Sequence, residues 1–193
     1  MKLLIFLFAI IQSSFALAKP VCLKGTGEFP YFVYDTDSKL YLGKSGYSDL
    51  SLCAKAISTA DPRMVCAPSG IEGGSQIFNT TDGLIIIYPT AYFTSVTFCS
   101  VAIASTRNGV VCVPHRNGFY PYDILSKKIY GEGSYSSMEF CRYSSLSASE
   151  NDLFVCSLDR YGQPRVFNRS NNNYVSTSYL STEECLLSIR GNK

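Results

Sequence analysis

The sequence has no tryptophan, a single histidine and few charged side chains. One histidine, with no Cys-x-x-Cys pair beside it, excludes the usual zinc ligand sets. Lysine and arginine number 17 against 15 aspartates and glutamates, so the basic surplus of a dedicated nucleic-acid-binding protein is missing. Apolar residues make up 46% of the chain, as in a packed globular protein. The composition therefore predicts no metal, no other cofactor and no nucleic-acid partner.

Long apolar runs are absent except near the N-terminus. Residues 1–18 read MKLLIFLFAIIQSSFALA, in which Lys2 precedes the apolar run, and Ala16 and Ala18 occupy the positions that a signal peptidase inspects. The run is about half of the roughly 20 residues that a membrane-spanning helix needs. We therefore predict a signal peptide at 1–18, no transmembrane segment, and a secreted or periplasmic chain over 19–193.

Eight cysteines recur with a fixed period. Four lie in the dipeptide Val-Cys, at intervals of 44, 46 and 44 residues, and each is followed 29 to 33 residues later by a second cysteine. The first set is Cys22, Cys66, Cys112 and Cys156, and the second is Cys53, Cys99, Cys141 and Cys185. Such a period is typical of repeat proteins. It predicts one domain over 19–193 with four repeats, at approximately 21–64, 65–110, 111–154 and 155–193.

Other positions repeat in phase with the cysteines. An aromatic residue, which we predict to be a core position rather than an exposed platform, precedes each second cysteine by six residues: Tyr47, Phe93, Tyr135 and Tyr179. An acidic or amide residue follows an earlier aromatic residue in each repeat: Asp35, Asn79, Asp123 and Asn168. Because two of these four are asparagines, a turn role is favoured over a pair of catalytic carboxylates.

Each repeat reads as an aromatic strand, a turn, a second strand, a short helix with a Ser or Thr cap, and a β-branched strand holding the next Val-Cys. We therefore predict an α+β fold of strand-strand-helix-strand repeats. Cys185 has no Val-Cys strand after it, and Val21-Cys22 has no helix before it. The N-terminal strand is expected to complete the fourth repeat and to give a four-fold pseudosymmetric, propeller-like closed ring without exposed edges.

The even number of cysteines in a predicted secreted chain indicates disulfides rather than a metal site. Two pairings fit the repeat: each Val-Cys with the cysteine after it, or each helical cysteine with the next Val-Cys. We favour the second, because ~11 Å of helix up to Asp61 and ~13 Å of strand back to Cys66 bring Cys66 level with Cys53. The predicted bonds are Cys53–Cys66, Cys99–Cys112, Cys141–Cys156 and Cys22–Cys185.

The sequence contains no nucleophile elbow, P-loop or dinucleotide-binding glycine motif. We therefore predict a non-catalytic module that binds a protein or glycan through loops on one face. The candidate binding residues are His115, Arg116 and Arg160, which follow Val-Cys where the repeats differ most, although a solvated loop without a ligand is the favoured explanation of these residues. The alternatives are a small extracytoplasmic hydrolase or enzyme inhibitor, and a structural component of the cell envelope.

The run Ser-Ser-Met-Glu-Phe-Cys that ends at Cys141, and the stretch from Cys99 to Cys112, resemble uncharacterised secreted bacterial proteins built from cysteine-bearing repeats. The resemblance covers the whole chain after the signal peptide and implies a bacterial protein of the periplasm or the medium. It transfers no activity and no functional residue. The repeat number is also similar to that of four-bladed propellers, although an all-β blade lacks a helix.

Overall fold

The computed structural model describes residues 20–61, 63–71, 73–86, 91–106, 109–115, 117–124, 126–145 and 153–191. These ranges contain four helices and four small antiparallel sheets, which confirms the α+β class. The predicted signal peptide and Arg116 lie outside the described residues.

A set of strands followed by one helix occurs four times, and we call each set a unit. The first unit has β1 (Pro20–Lys24), β2 (Tyr31–Asp35), β3 (Leu40–Tyr47) and α1 (Leu50–Ser58). The second has β4 (Met64–Pro68), β5 (Ser75–Asn79) and α2 (Val96–Ala104), with isolated bridges at Ile85 and Phe93 in place of a third strand among its described residues. The third has β6 (Val110–His115), β7 (Gly118–Asp123), β8 (Lys128–Ile129) and α3 (Met138–Ser145). The fourth has β9 (Phe154–Leu158), β10 (Pro164–Asn168), β11 (Asn173–Tyr174) and α4 (Thr182–Gly191).

Within each unit the first strand pairs antiparallel with the second strand. Val-Cys lies in the middle of the first strand, so that Cys22 is opposite Val33 and Cys66 is opposite Ile77. The predicted order of strand, strand, helix, strand occurs along the chain, as in β2, β3, α1 and β4, but the predicted place of the Val-Cys strand at the end of each repeat is wrong. The Val-Cys strand opens its own sheet instead of closing the preceding unit, because its backbone hydrogen bonds go to the strand that follows it.

Four disulfides are present, as predicted, but the predicted pairing of their cysteines is wrong. The bonds join first strand and helix within each unit, with Cα atoms 5.9 to 6.0 Å apart: Cys22–Cys53, Cys66–Cys99, Cys112–Cys141 and Cys156–Cys185. They replace the predicted Cys53–Cys66, Cys99–Cys112, Cys141–Cys156 and Cys22–Cys185. The length argument brought each Val-Cys strand back along the helix before it, whereas the helix after the strand packs over the same sheet and places its cysteine above the centre of the first strand.

The N-terminal strand does not complete the fourth unit, since β1 pairs with β2 and Cys22 is bonded within the first unit. Consecutive units pack against each other. The first and second are joined by β3 on β4 and α1 on α2, the second and third by α2 on β6, and the third and fourth by α3 on β9. No closed sheet occurs within the described ranges.

Much of the buried core lies where consecutive units pack against each other. Val65, Val111 and Val155, in the first strands of the later units, are at most 1% exposed. Their counterpart Val21, in β1 of the first unit, is half-buried. The prediction of aromatic core positions is confirmed for three residues, which are 2 to 6% exposed: Tyr47, Phe93 and Tyr135.

The predicted turn role is also confirmed. In each unit the side-chain Oδ1 of the acidic or amide residue accepts a hydrogen bond from a backbone N–H two or three residues further on: Asp35, Asn79, Asp123 and Asn168.

Candidate functional site

A cleft of about 650 Å³ lies between the first and second units. Its lining comes from the β1–β2 loop, the end of β3, the β4–β5 turn and the beginnings of α1 and α2. The lining residues include Glu28, Phe29, Gly46, Tyr47, Ser48, Leu52, Pro68, Gly70, Ile71, Gly73, Ser95 and Val96.

The length of the β1–β2 loop shapes one side of the cleft. Residues 25–30 separate β1 from β2, whereas only 116–117 separate β6 from β7 in the third unit. The loop is closed by the Gly25 N–H, which donates to the Pro30 carbonyl at 2.6 Å. Gly46 lets it lie against β3, because a Cβ there would overlap the Phe29 carbonyl oxygen. Phe29 consequently remains at the rim, with 40% of its surface exposed.

The β4–β5 turn lines the cleft from the second unit, and we call its Ile71 and Phe29 of the first unit the rim residues. The ends of the turn are joined by the Ser69 N–H, which donates to the Gly74 carbonyl at 3.0 Å. Gly70 and Gly73 have φ values of 81° and 67°, a left-handed conformation that glycine adopts at little cost. This compact turn holds Ile71 outward, half exposed to solvent.

Both helices at the cleft begin with a side-chain cap. The Oδ1 of Asp49 accepts hydrogen bonds from the N–H groups of Ser51 and Leu52 at 2.8 and 3.1 Å, and the Oγ of Ser95 accepts one from Phe98 at 3.4 Å. Hydrogen bonds from the Ser51 hydroxyl and the Leu52 N–H lower the pKa of Asp49. The charged Asp49 carboxylate therefore already neutralises the positive end of α1.

Tyr47 lines the cleft and is largely buried. Burial raises its pKa to about 12, and the neighbouring Ser75 hydroxyl offsets part of that rise. Tyr47 is therefore protonated at neutral pH. Among the described lining residues Glu28 is the only carboxylate, and none is a histidine or cysteine that would form a nucleophile–base pair with it. The cleft thus offers contact surface.

The predicted binding residues lie elsewhere. His115 ends β6, half-buried, and its ring meets Tyr120 edge-on with centroids 5.8 Å apart. Arg160 lies in the β9–β10 turn, where its Nε is 3.1 Å from Oε2 of Glu132 and both side chains are exposed. Neither described residue lines the cleft, Arg116 falls outside the described ranges, and a binding role for the three stays a prediction.

A buried polar cluster joins the third and fourth units. Nη2 of Arg169 donates to Oδ2 of Asp123 at 2.8 Å, its Nε donates to the Tyr130 hydroxyl oxygen at 3.0 Å, and that hydroxyl donates to Asp123. The side chains of Arg169 and Asp123 are only 9% and 7% exposed. These hydrogen bonds run from the third unit to the fourth through buried side chains, so the cluster fastens the two units together.

Comparison of the chain with models of known protein families, with curated proteins and with solved structures found no match. Within the described ranges, no helix is long and apolar enough to cross a membrane. The same ranges hold no group of three or more acidic, histidine or cysteine residues placed to bind a metal ion. Four disulfides are typical of proteins from oxidising compartments.

Proposed function

We propose that the protein is a secreted or periplasmic binding module that holds its ligand in the cleft between the first two units. The observation that carries this proposal is the cleft itself, whose volume of about 650 Å³ falls in the usual range of ligand sites. The rim residues Phe29 and Ile71 leave apolar surface exposed. The disulfides and the predicted signal peptide support an extracytoplasmic location.

We also infer that the four units form an open array instead of the predicted ring. In the fourth unit Val175 directly follows Tyr174, which pairs with Phe167 of β10. Leu42 of the first unit and Tyr130 of the third unit occupy the same position, and each is only 1% exposed because the next unit covers it. Val175 itself is 51% exposed, and Leu23 of β1 is 37% exposed. These two faces would be covered if the fourth unit packed on the first.

The binding proposal is tested with the exported, oxidised protein, screened against a phage-displayed library of short random peptides and against a glycan array. The double variant Phe29→Ser/Ile71→Ser removes the exposed apolar rims, and we expect it to weaken binding of the selected ligands at least about tenfold, or ~1.4 kcal/mol. The matched control is Phe140→Ser, because Phe140 is an exposed aromatic residue of α3 outside the cleft. Ligands that bind both variants equally, or no ligand in either screen, would contradict the proposal.

A further inference from the structure

We infer that the ligand of the cleft is a peptide segment of a partner protein that inserts an apolar side chain and carries a lysine or arginine beside it. This inference rests on the proposed function, since it names the chemistry that the same cleft recognises.

The apolar part follows from the cleft's rim residues and the rest of its apolar lining. Phe29 of the first unit and Ile71 of the second both line the cleft and are 40% and 51% exposed, and the lining also includes the apolar Leu52, Pro68 and Val96. An aliphatic or aromatic side chain placed there would remove exposed surface of both rim residues from water, which is the main source of affinity at the centre of an interface.

The polar lining disfavours a sugar. A sugar ring presents hydroxyl groups around its whole edge and is held by several carboxylate, amide or guanidinium groups that fix these hydroxyls. The described lining has Glu28 as its one such side chain, and its remaining polar side chains are hydroxyls. One of these, Ser95, already accepts a hydrogen bond as the cap of α2.

The charge of the cleft favours a basic partner. Glu28 is the only charged side chain among the described residues that line it. Asp49, which follows the lining residue Ser48, compensates the positive end of α1 that it caps, and the stem of Lys44 packs beside Gly70. A lysine or arginine next to the apolar anchor can therefore pair with the Glu28 carboxylate.

The experiment uses the peptides selected by phage display, resynthesised and titrated against the full oxidised protein. We expect them to share an apolar residue next to a lysine or arginine. Alanine at the apolar position should reduce affinity at least tenfold, and glutamate at the basic position should reduce it several-fold, more at low than at high salt. Glu28→Gln should weaken binding and flatten the salt dependence, while Glu139→Gln, at an exposed position of α3, should change neither.

Two outcomes are distinguished by the rim variant Phe29→Ser/Ile71→Ser. If binding is lost in this variant but the ligands are glycans, or peptides without a basic residue, the cleft is the binding site and the inference about its ligand is wrong. If the selected peptides bind the rim variant as well as they bind the original protein, the proposed function itself is wrong.

Discussion

The junction between the first two units and that between the last two are built from the same backbone parts and closed by different chemistry. The turn that follows the second strand carries Asp35 in the first unit and Asp123 in the third, and both are buried. The Asp123 carboxylate accepts hydrogen bonds from the Tyr130 hydroxyl and from the Arg169 guanidinium group of the next unit. Leu42 and Thr80 occupy the corresponding positions around Asp35, whose Oδ2 is buried without a hydrogen-bond partner among the described residues.

The same backbone arrangement is therefore held by different forces at the two junctions. The last two units are linked by a buried ion pair and by the N–H groups of Glu132 and Gly133, which donate to the Leu158 carbonyl at 3.0 and 2.9 Å. The first two units share one apolar core, in which β3 packs on β4 and α1 on α2, and they leave a cleft beside the longer β1–β2 loop. Buried polar bonds thus stabilise the last junction, whereas apolar packing stabilises the first.

The largest expected effect separates the two buried aspartates. Asp123→Asn leaves the Arg169 guanidinium buried without its carboxylate, and we expect a loss of about 3 to 5 kcal/mol in the free energy of unfolding. Asp35→Asn keeps the Oδ1 that accepts from the turn and removes a charge with no cation beside it, so its effect should stay within about 1 kcal/mol. Urea denaturation with intact disulfides measures both. Equal losses would show that Asp35 also has a charged partner.

The same comparison shows which features were accessible from the sequence. The fold class, the number of disulfides, the turns and the aromatic core positions were predicted from residues that recur at a fixed spacing. Each of these features is therefore indicated by several repeats of the sequence. The disulfide pairing did not follow, because both schemes have regular spacings and differ only in whether Cys66 of β4 is bonded to the helix before it, α1, or to the helix after it, α2. The ion pair joins residues 46 positions apart and occurs once. Phe29 and Ile71 lie in loops without periodicity, so the repeat carries no signal for them.

A smaller effect tests the close approach of strands at these junctions. Gly131 has a φ of 83°, and a Cβ there would overlap Ser157 Oγ and lie 2.8 Å from the Leu158 carbonyl oxygen. Gly131→Ala should therefore cost about 2 to 4 kcal/mol, the sum of backbone strain and overpacking. Gly162 has a φ of 76° and open space around it, so Gly162→Ala should cost only the strain, about 1 kcal/mol. Similar costs in thermal or urea unfolding would show that Ser157 moves aside freely.

Tyr47 of the first unit and its counterpart Tyr135 of the third unit make the free energy of unfolding depend on pH in the alkaline range. Burial raises both pKa values, that of Tyr47 to about 12. The folded state thus holds the phenol proton more tightly than the unfolded chain, whose tyrosines titrate near 10. Stability is complete below about pH 10 and falls, by at most ~1.4 kcal/mol per pH unit for each group, as pH rises toward 12.

We expect Tyr47→Phe to make this alkaline loss shallower while changing stability at pH 7 by less than about 0.5 kcal/mol. Tyr135→Phe should make the alkaline loss shallower as well. In contrast to Tyr47→Phe, it should lower the free energy of unfolding at pH 7 by about 1 kcal/mol, because the Tyr135 hydroxyl donates to the Cys156 carbonyl at 3.2 Å. Unfolding curves recorded at pH 7, 10 and 11 separate the two contributions. An unchanged alkaline slope in Tyr47→Phe would show that its hydroxyl is hydrated in the folded state.

The smallest effect is expected at Arg160, on the surface of the last junction. Its ion pair with Glu132 is exposed on both sides, so water screens the attraction and the side chains lose freedom when they pair. Arg160→Gln should leave the unfolding midpoint unchanged, whereas Arg169→Gln should shift it strongly, because the Asp123 carboxylate would remain buried without its cation. Arg160 is also a binding residue predicted from the sequence. If Arg160→Gln keeps full stability but loses the peptides selected by phage display, the ligand contacts the last junction, and the cleft between the first two units is not its main site.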